Sequence, residues 1–191
     1  MAISNQVRII GGRWRGRKLE FPSIDGLRPT PDRVRETLFN WLQTEIHGAA
    51  CLDLFAGSGI LGIEAMSRGA AHVTLVEKDS QAIISIQAMV NKLEADDIAV
   101  HREDVLHFLQ RPLAGQKSWN IVFLDPPYAS NLVVPCLQQL CVPGWLAPNA
   151  LIYFETQKRH APITLPPELC LLKEKKAGQV AYFLARYNGR P

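Results

Sequence analysis

The amino-acid sequence predicts an α/β fold with a mainly parallel seven-stranded sheet that ends in an antiparallel hairpin. From residue 50 onward, short apolar runs alternate with amphipathic segments, which is typical of strand–helix units covering both faces of a parallel sheet. The last two apolar runs are joined through Ala177 and Gly178 with no helix between them, which indicates an antiparallel pair. A chain of 191 residues, 47% hydrophobic and 20% charged, suits one such globular domain.

The chain is predicted to begin with a short β-hairpin and a helix. The hairpin has strands over 7–10 and 14–21 around a turn at the Gly11-Gly12 pair. Thr30 is placed to cap a helix of about 14 residues, with Pro31 at the first helical position. This helix is indicated by apolar residues that recur at helical spacing, namely Val34, Leu38, Trp41 and Leu42.

The remaining elements follow from the alternation of apolar runs and amphipathic segments. Strands are predicted over 51–55, 72–76, 98–101, 121–124, 151–154, 169–174 and 180–187. Helices are predicted near 59–68, 80–94, 104–110 and 131–141. In open sheets of this kind ligands bind beyond the carboxyl ends of the strands, so the residues that follow the apolar runs are the candidates for chemistry.

The net charge is concentrated at the N-terminal end. Residues 1–35 hold eight Lys or Arg and three Asp or Glu, a net charge of +5, whereas residues 36–191 carry a net charge of −2. A basic segment attached to a nearly neutral body indicates a polyanionic partner, with a solvated basic face as the alternative.

The first strand of the main sheet runs into a glycine-rich segment, DLFAGSGILG at 53–62, called the glycine loop below. Gly57, Gly59 and Gly62 form a GxGxxG pattern between strand and helix, and Glu77 follows the next predicted strand. Glycines let the backbone approach a nucleotide, and an acid about 20 residues further on can accept from both ribose hydroxyls. The pattern favours a nucleotide-type ligand over plain turn glycines.

Asp53 indicates which nucleotide this is. A dinucleotide would place its pyrophosphate near this carboxylate, whereas S-adenosyl-L-methionine has no phosphate and carries a sulfonium and an ammonium group that an acid attracts. The sequence therefore predicts S-adenosyl-L-methionine as cofactor, with a helix-capping or turn role for Asp53 as the alternative.

A second motif, Asp125-Pro126-Pro127-Tyr128, directly follows the apolar run 121–124. Asp125 and the carbonyl of Pro126 can accept the two hydrogens of an exocyclic amino group, and two prolines hold the backbone so that both acceptors converge. Tyr128 offers a ring face to an unstacked base. These four residues are the predicted catalytic set.

Together these residues resemble the class I S-adenosyl-L-methionine-dependent methyltransferases that act on exocyclic amino groups, which have a Rossmann-like fold. Two N-terminal blocks, RIIGGRWRGRKL at 8–19 and LRPTPDRVRETLFNW at 27–41, are similar to the bacterial 16S rRNA (guanine-N2) methyltransferase family known as RsmD. The resemblance extends over about residues 7–187. It implies methylation of one guanine in 16S rRNA of the assembled 30S subunit, by a cytoplasmic enzyme that we expect to be a monomer.

The resemblance also implies roles for individual residues. The cofactor is expected to contact Asp53, Phe55, Gly57, Gly59, Glu77 and Asp104. For Asp104, which would accept from the adenine amino group, capping of the next helix is the alternative. The rRNA is expected to contact Arg8, Arg13, Arg15, Arg17, Lys18 and Arg28. Thr30 and Arg35 are candidates for positioning cofactor or rRNA, with helix capping and surface charge as alternatives.

We expect two domains, an rRNA-binding extension over 1–30, called the basic arm below, and a methyltransferase domain over 31–191. Three other functions stay open: a DNA adenine-N6 methyltransferase, an NAD-binding oxidoreductase and a non-catalytic rRNA-binding module. The four cysteines and five histidines have no ligand spacing, so no metal is expected. No membrane segment is expected either, because no apolar run approaches about 20 residues.

Overall fold

The computed structural model describes residues 4–23, 30–111, 118–127, 130–157 and 163–189. Its strands are β1 (Ser4–Arg8), β2 (Lys18–Pro22), β3 (Ala50–Asp53), β4 (His72–Glu77), β5 (Ile98–Arg102), β6 (Trp119–Leu124), β7 (Leu146–Gln157), β8 (Leu169–Ala177) and β9 (Val180–Tyr187). Its helices are α1 (Asp32–Trp41), α2 (Ile60–Ser67), α3 (Ser80–Leu93), α4 (Val105–Phe108) and α5 (Val133–Leu140). None of these helices has the length and apolarity that crossing a bilayer requires.

Seven of the strands form one sheet, in the order β5-β4-β3-β6-β7-β9-β8. The five strands from β5 to β7 in this order are parallel, and β9 is antiparallel to both β7 and β8. The predicted seven-stranded sheet with its C-terminal antiparallel hairpin is therefore confirmed. The strand order reverses between β3 and β6, which is where α/β sheets bind ligands.

Most predicted elements agree with the structure within a few residues, but two differ in length. Strand β7 extends well beyond the predicted 151–154, because it pairs with β6 on one side and with β9 on the other. Helix α1 has 10 residues instead of about 14. It ends early because the chain turns over 42–48, and these turns keep Leu42 and Ile46 in the core.

Two hydrophobic cores cover the two faces of the sheet. Side chains alternate along β3, so that Cys51 faces helices α1, α2 and α3, whereas Leu52 faces α4 and α5. The apolar side chains of the N-terminal hairpin belong to the first of these cores. The hairpin thus packs on the same side of the sheet as α1–α3.

The N-terminal hairpin exists, but its predicted turn is wrong. β1 and β2 pair over five residues each, so residues 9–17 form the connection between them. Gly11 and Gly12 lie against the end of α2, where a Cβ on Gly12 would be 1.9 Å from the carbonyl oxygen of Ser67. Trp14, predicted in the second strand, is buried in the connection and donates its backbone N–H to Ser67 Oγ. The glycine pair therefore permits a close approach to α2 and not a tight turn.

The predicted cap of α1 is also wrong. The helix begins at Asp32, and Pro31 occupies the N-cap position with no side-chain hydrogen bond to the helix. Thr30 lies one residue before the cap, and its hydroxyl donates to Asp125 instead. A capping side chain must belong to the residue adjacent to the first helical turn, so Thr30 is one position too early.

Candidate active site

Acidic side chains come together at the carboxyl edge of the sheet beside the reversal of strand order. Asp53 ends β3, Glu77 ends β4, Asp125 directly follows β6 and Glu155 lies near the end of β7. Asp125 and Glu155 each come one residue after the last pair of the β6–β7 register, so they are neighbours on the same face of the sheet. We call Asp53, Asp125 and Glu155 the acidic cluster.

The glycine loop connects β3 to α2 in a backbone conformation that side chains disfavour. Gly57 has φ +53° and Gly59 has φ +75°, and Gly59 is the N-cap residue of α2. A Cβ on Gly62 would lie 2.2 Å from Leu75 Cδ2 on β4. Two glycines thus shape the loop, and the third lets the helix pack closely against the sheet.

Glu77 is fixed against this loop by backbone hydrogen bonds. Its Oε2 accepts from the N–H of Gly57 at 2.9 Å, and its Oε1 accepts from the N–H groups of Lys78 and Asp79, both at 2.8 Å. A carboxylate has about four acceptor sites, so a lone pair stays available for a further donor. Glu77 could accordingly hold the ribose hydroxyls of a nucleotide.

Asp53 is almost completely buried, with 1% of its surface exposed. Its Oδ2 accepts from the N–H of Gly62 at 3.2 Å, while Oδ1 has no hydrogen-bond partner within the described part of the chain. Burial raises the pKa of Asp53 to about 7, and the nearby Glu77 acts in the same direction. The backbone N–H groups of Gly62 and Phe55 lower the pKa of Asp53, and Oδ1 remains a buried acceptor with no hydrogen bond of standard geometry within the described residues.

The other two members of the acidic cluster are also hard to ionise. Burial, followed by repulsion from Glu155 and Asp53, raises the pKa of Asp125 well above its usual value. Burial raises the pKa of Glu155 to about 7. A cationic ligand would offset this desolvation, and an ammonium group could donate to the unpaired Asp53 oxygen. The residues present fit S-adenosyl-L-methionine, whereas a pyrophosphate would face like charge.

Asp125 and the prolines after it form the predicted acceptor of the amino group. Asp125 is half-buried, and its Oδ2 accepts from the Thr30 hydroxyl at 3.4 Å. Pro126 is buried and Pro127 is exposed. The carbonyl of Pro127 accepts from the N–H and the hydroxyl of Ser130.

Glu155 is a site residue that the sequence reasoning missed. Its side chain is 2% exposed, and the Tyr153 hydroxyl donates to Oε1 at 2.6 Å. The signal that could have identified Glu155 is the one that identifies Asp125, an acid directly after an apolar run. Here that run is residues 151–154.

Several other predicted site residues have roles in the structure that do not involve a ligand. Asp104 is exposed and caps α4, because its Oδ1 accepts from the N–H groups of Leu106 and His107. Its contact with adenine stays a prediction. Phe55 is half-buried and packs against the core on the α4–α5 side. Tyr128 and Arg28 lie outside the described residues. In the described ranges, no three His, Cys, Asp or Glu side chains are arranged so that they could hold a metal ion.

The predicted rRNA contacts of the basic arm are exposed on the hairpin and its connection. They are Arg8, Arg13, Arg15, Arg17 and Lys18. The guanidinium carbon of Arg13 lies 4.1 Å from the ring centre of the buried Trp14, so this side chain is partly committed to a cation–π contact. The others present positive charge to solvent.

Arg35 is fully buried, so the alternative that it is a surface charge is wrong. Its guanidinium donates to Thr30 O at 3.1 Å, Asp32 Oδ1 at 2.6 Å, Arg8 O at 2.9 Å and Glu64 Oε2 at 3.3 Å. Glu64, also fully buried, accepts from the backbone N–H of Ile10. We call Arg35, Asp32 and Glu64 the Arg35 network, which joins the basic arm to α1 and α2.

Comparison with known proteins identifies the family. The family model described as conserved hypothetical protein 95 matches residues 7–186. A ribosomal RNA small subunit methyltransferase D from Haemophilus influenzae is 48% identical over 181 residues, which cover 94% of this chain and 93% of that protein. The chain belongs to the RsmD family. The methyltransferase D of Escherichia coli K12 is also 48% identical, over 95% of this chain and 90% of its own.

Solved structures agree with membership of the RsmD family. The putative methyltransferase yhhF from Escherichia coli has a TM-score of 0.90 and 44% identity, over 97% of this chain and 100% of that chain. SMU.776, a putative methyltransferase complexed with SAH, has a TM-score of 0.71 over 96% of this chain and 56% of its own. At 16% identity this likeness is evidence for the fold alone. The predicted class I methyltransferase fold and the S-adenosyl-L-methionine cofactor of this RsmD chain are confirmed.

Replacing Glu77 in this RsmD chain tests the assignment of the ribose contact. Glu77→Ala is expected to weaken S-adenosyl-L-methionine binding by about 1.5–3 kcal/mol, because a charged acceptor for hydroxyl groups is lost. Isothermal titration calorimetry on the folded variant measures this. Glu45→Ala, which removes an exposed acid after α1, is the matched control and should leave the Kd unchanged. An unchanged Kd for Glu77→Ala would place the ribose elsewhere.

Proposed function

We propose that this chain methylates the exocyclic N2 amino group of a specific guanine in 16S rRNA of the assembled 30S subunit, with S-adenosyl-L-methionine as methyl donor. The observation that carries the proposal is the position of Asp125, which directly follows β6 and lies beside Asp53 of the glycine loop. Relatives named ribosomal RNA small subunit methyltransferase D support rRNA as the substrate. The enzyme would act in the cytoplasm as a monomer.

In this proposal Asp125 and Pro126 hold the amino group of the target base. The guanine leaves its stack and lies on the ring of Tyr128, because its amino nitrogen is otherwise shielded. The Asp125 carboxylate accepts from one amino hydrogen and the Pro126 carbonyl accepts from the other. Both bonds favour a pyramidal nitrogen whose lone pair is no longer delocalised into the ring.

When bound, the cofactor supplies an electrophilic methyl group on its sulfonium, which the amino nitrogen takes in line. The new N–C bond replaces the S–C bond, and the nitrogen then gives one proton to the Asp125 carboxylate. A raised pKa makes this carboxylate a stronger base than an exposed one. Holding the reacting atoms collinear supplies the larger share of the acceleration, about 7 kcal/mol or more.

We further propose that residues 1–30 are an extension that grips rRNA and residues 31–191 the catalytic domain. Exposed basic side chains on the hairpin and its connection support this, because phosphate contacts provide most of the affinity for nucleic acids.

Removing the charges of the basic arm is expected to weaken rRNA binding and flatten its salt dependence. Gln substitutions at Arg13, Arg15, Arg17 and Lys18 together should leave cofactor affinity intact. Each lost phosphate contact lowers the log–log slope of affinity against salt by about 0.7 for single strands. We expect a fall of about 1–2, because Arg13 is stacked on Trp14. Binding to 30S particles, measured from low to moderate salt, gives both slopes.

A control variant with the same loss of charge separates contact from general electrostatics. Gln substitutions at Lys92, Lys173, Lys175 and Lys176, all exposed, remove four positive charges outside the arm. This variant should keep the wild-type slope. Equal slopes of affinity against salt for the arm variant and the wild type would show that rRNA binds elsewhere on the protein.

Methyl transfer from labelled cofactor tests the function directly. The substrates to compare are 30S particles, free 16S rRNA and duplex DNA, with the modified nucleotide mapped by mass spectrometry. The proposal expects N2-methylguanine at one position in 30S particles. Methylation of adenine N6 in the duplex would establish the DNA-modifying alternative. Nicotinamide turnover would establish the oxidoreductase.

A further inference from the structure

We propose that Thr30 is a positioning residue that orients the carboxylate of Asp125, and that Arg35 holds Thr30 in place for this purpose. Thr30 is 6% exposed and lies between α1 and the end of β6, where its hydroxyl donates to Asp125 Oδ2. The inference rests on the proposed function only in taking Asp125 as the group that accepts from the substrate amino group.

The Thr30 hydroxyl bonds Asp125 and does not cap helix α1. Threonine before a helix commonly caps the first turn, yet here the N-cap residue is Pro31 and no side chain caps α1. The hydroxyl lies 3.4 Å from Asp125 Oδ2, longer than the usual O–H···O distance of about 2.5–3.0 Å. Catalytic hydrogen bonds often shorten only when the reactants are bound.

The position of Thr30 is set by a buried guanidinium. Arg35 Nε donates to the Thr30 carbonyl at 3.1 Å. Nη1 of the same group donates to Glu64, and Nη2 donates to Asp32 and to the Arg8 carbonyl. A planar guanidinium bound through all three nitrogens has little freedom to rotate. Arg35 therefore holds the backbone of Thr30 in place, and none of its hydrogen bonds within the described residues goes to the glycine loop or to the acidic cluster.

A donor on one oxygen of Asp125 has two effects on the carboxylate. It leaves Oδ1 to accept from the substrate amino group, and it favours the ionised form in surroundings that oppose ionisation. Among the described residues, the charged or titratable groups that face Asp125 are Asp53 from β3, Glu155 from β7 and Tyr153, whose hydroxyl donates to Glu155. Both acids raise the pKa of Asp125, whereas the Thr30 hydroxyl lowers it.

Thr30→Val removes the hydroxyl and keeps the branched shape, and Thr30→Ser keeps the hydroxyl. For Thr30→Val we expect kcat on 30S particles to fall about 10-fold, the size of effect of one hydrogen bond to a charged group. The acidic limb of its kcat–pH profile should move to higher pH, because the remaining neighbours raise the pKa of Asp125. The Kd for S-adenosyl-L-methionine should stay within about twofold of wild type.

Thr30→Ser should restore kcat to within about threefold of wild type together with the wild-type pH profile. A purely structural role would lower the unfolding midpoint of both variants without moving the pH profile. Equal kcat for the two variants, or a loss of cofactor affinity in Thr30→Val, would overturn the proposal. If the wild type modifies duplex DNA and not 30S particles, the guanine-N2 function fails, and the same comparison on DNA still decides the role of Thr30.

Discussion

Asp125→Ala is expected to bind S-adenosyl-L-methionine with wild-type affinity and to lose methyl transfer by a factor of about 10²–10⁴. Asp125 directly follows β6 and is assigned to the substrate amino group, whereas Asp53 and Glu77 face the glycine loop. The substitution would remove both the acceptor that orients the nitrogen and the base that receives its proton. Single-turnover transfer to 30S particles measures the chemical step, and calorimetry measures cofactor affinity.

Asp125→Asn separates the two contributions of this side chain. The amide keeps an acceptor oxygen for the substrate amino group and cannot receive a proton. Its rate should lie between those of wild type and Asp125→Ala if orientation matters as well as basicity. A parallel loss of cofactor affinity and of rate in Asp125→Ala would contradict the assignment, because it would make Asp125 a cofactor ligand.

Arg35→Met is expected to lower the free energy of unfolding by about 3–5 kcal/mol. The Arg35 and Glu64 side chains are both fully buried, so removing the guanidinium leaves Glu64 with Arg68 as its remaining countercharge. It also removes the donor to the backbone carbonyls of Arg8 and Thr30. Denaturant titration in urea gives the free energy of unfolding. Arg33→Met, two residues away on the exposed side of α1, is the control and should cost no more than about 0.5 kcal/mol.

A double variant shows whether the buried charge is the cause. Arg35→Met combined with Glu64→Gln removes the buried negative charge, although Asp32 loses Arg35 and Arg68 loses a charged partner, both at partly exposed side chains. If the buried charge is the main cost in Arg35→Met, the double variant should recover part of the lost stability. Equal losses for Arg35→Met and Arg33→Met would mean that the Arg35 network contributes nothing to the folded state.

The sheet and the glycine loop could be predicted because their signals are local. Apolar runs of four to eight residues identify the strands, and the spacing of Gly57, Gly59 and Gly62 identifies the loop without knowledge of any distant residue. Asp125 could be found for the same reason, since it directly follows the apolar run 121–124. Glu155 follows its run in the same way, so the pattern could have included it.

The features that could not be predicted depend on contacts far apart in the chain. Thr30 is of a residue type that commonly caps helices, but its hydrogen-bond partner Asp125 lies 95 residues further along the chain. Gly11 and Gly12 resemble a tight turn, yet their conformation is set by Ser67 on α2. Arg35 did leave a local sign, because it lies three and seven residues before Leu38 and Leu42, on the apolar stripe of α1.

The contacts of the Arg35 network with the backbone of Arg8 and Ile10 bear on how such an enzyme can be rebuilt. A chain truncated before residue 31 would keep the guanidinium and the carboxylate of Glu64 but lose three of their partners, the backbone groups of Arg8, Ile10 and Thr30. If the basic arm were transferred to an unrelated methyltransferase, it would keep its positive charge but lose its hydrogen bonds with Arg35 and Glu64. Recombination that exchanges whole modules suits domains joined by linkers. Here the arm and helices α1 and α2 would have to be inherited as one unit.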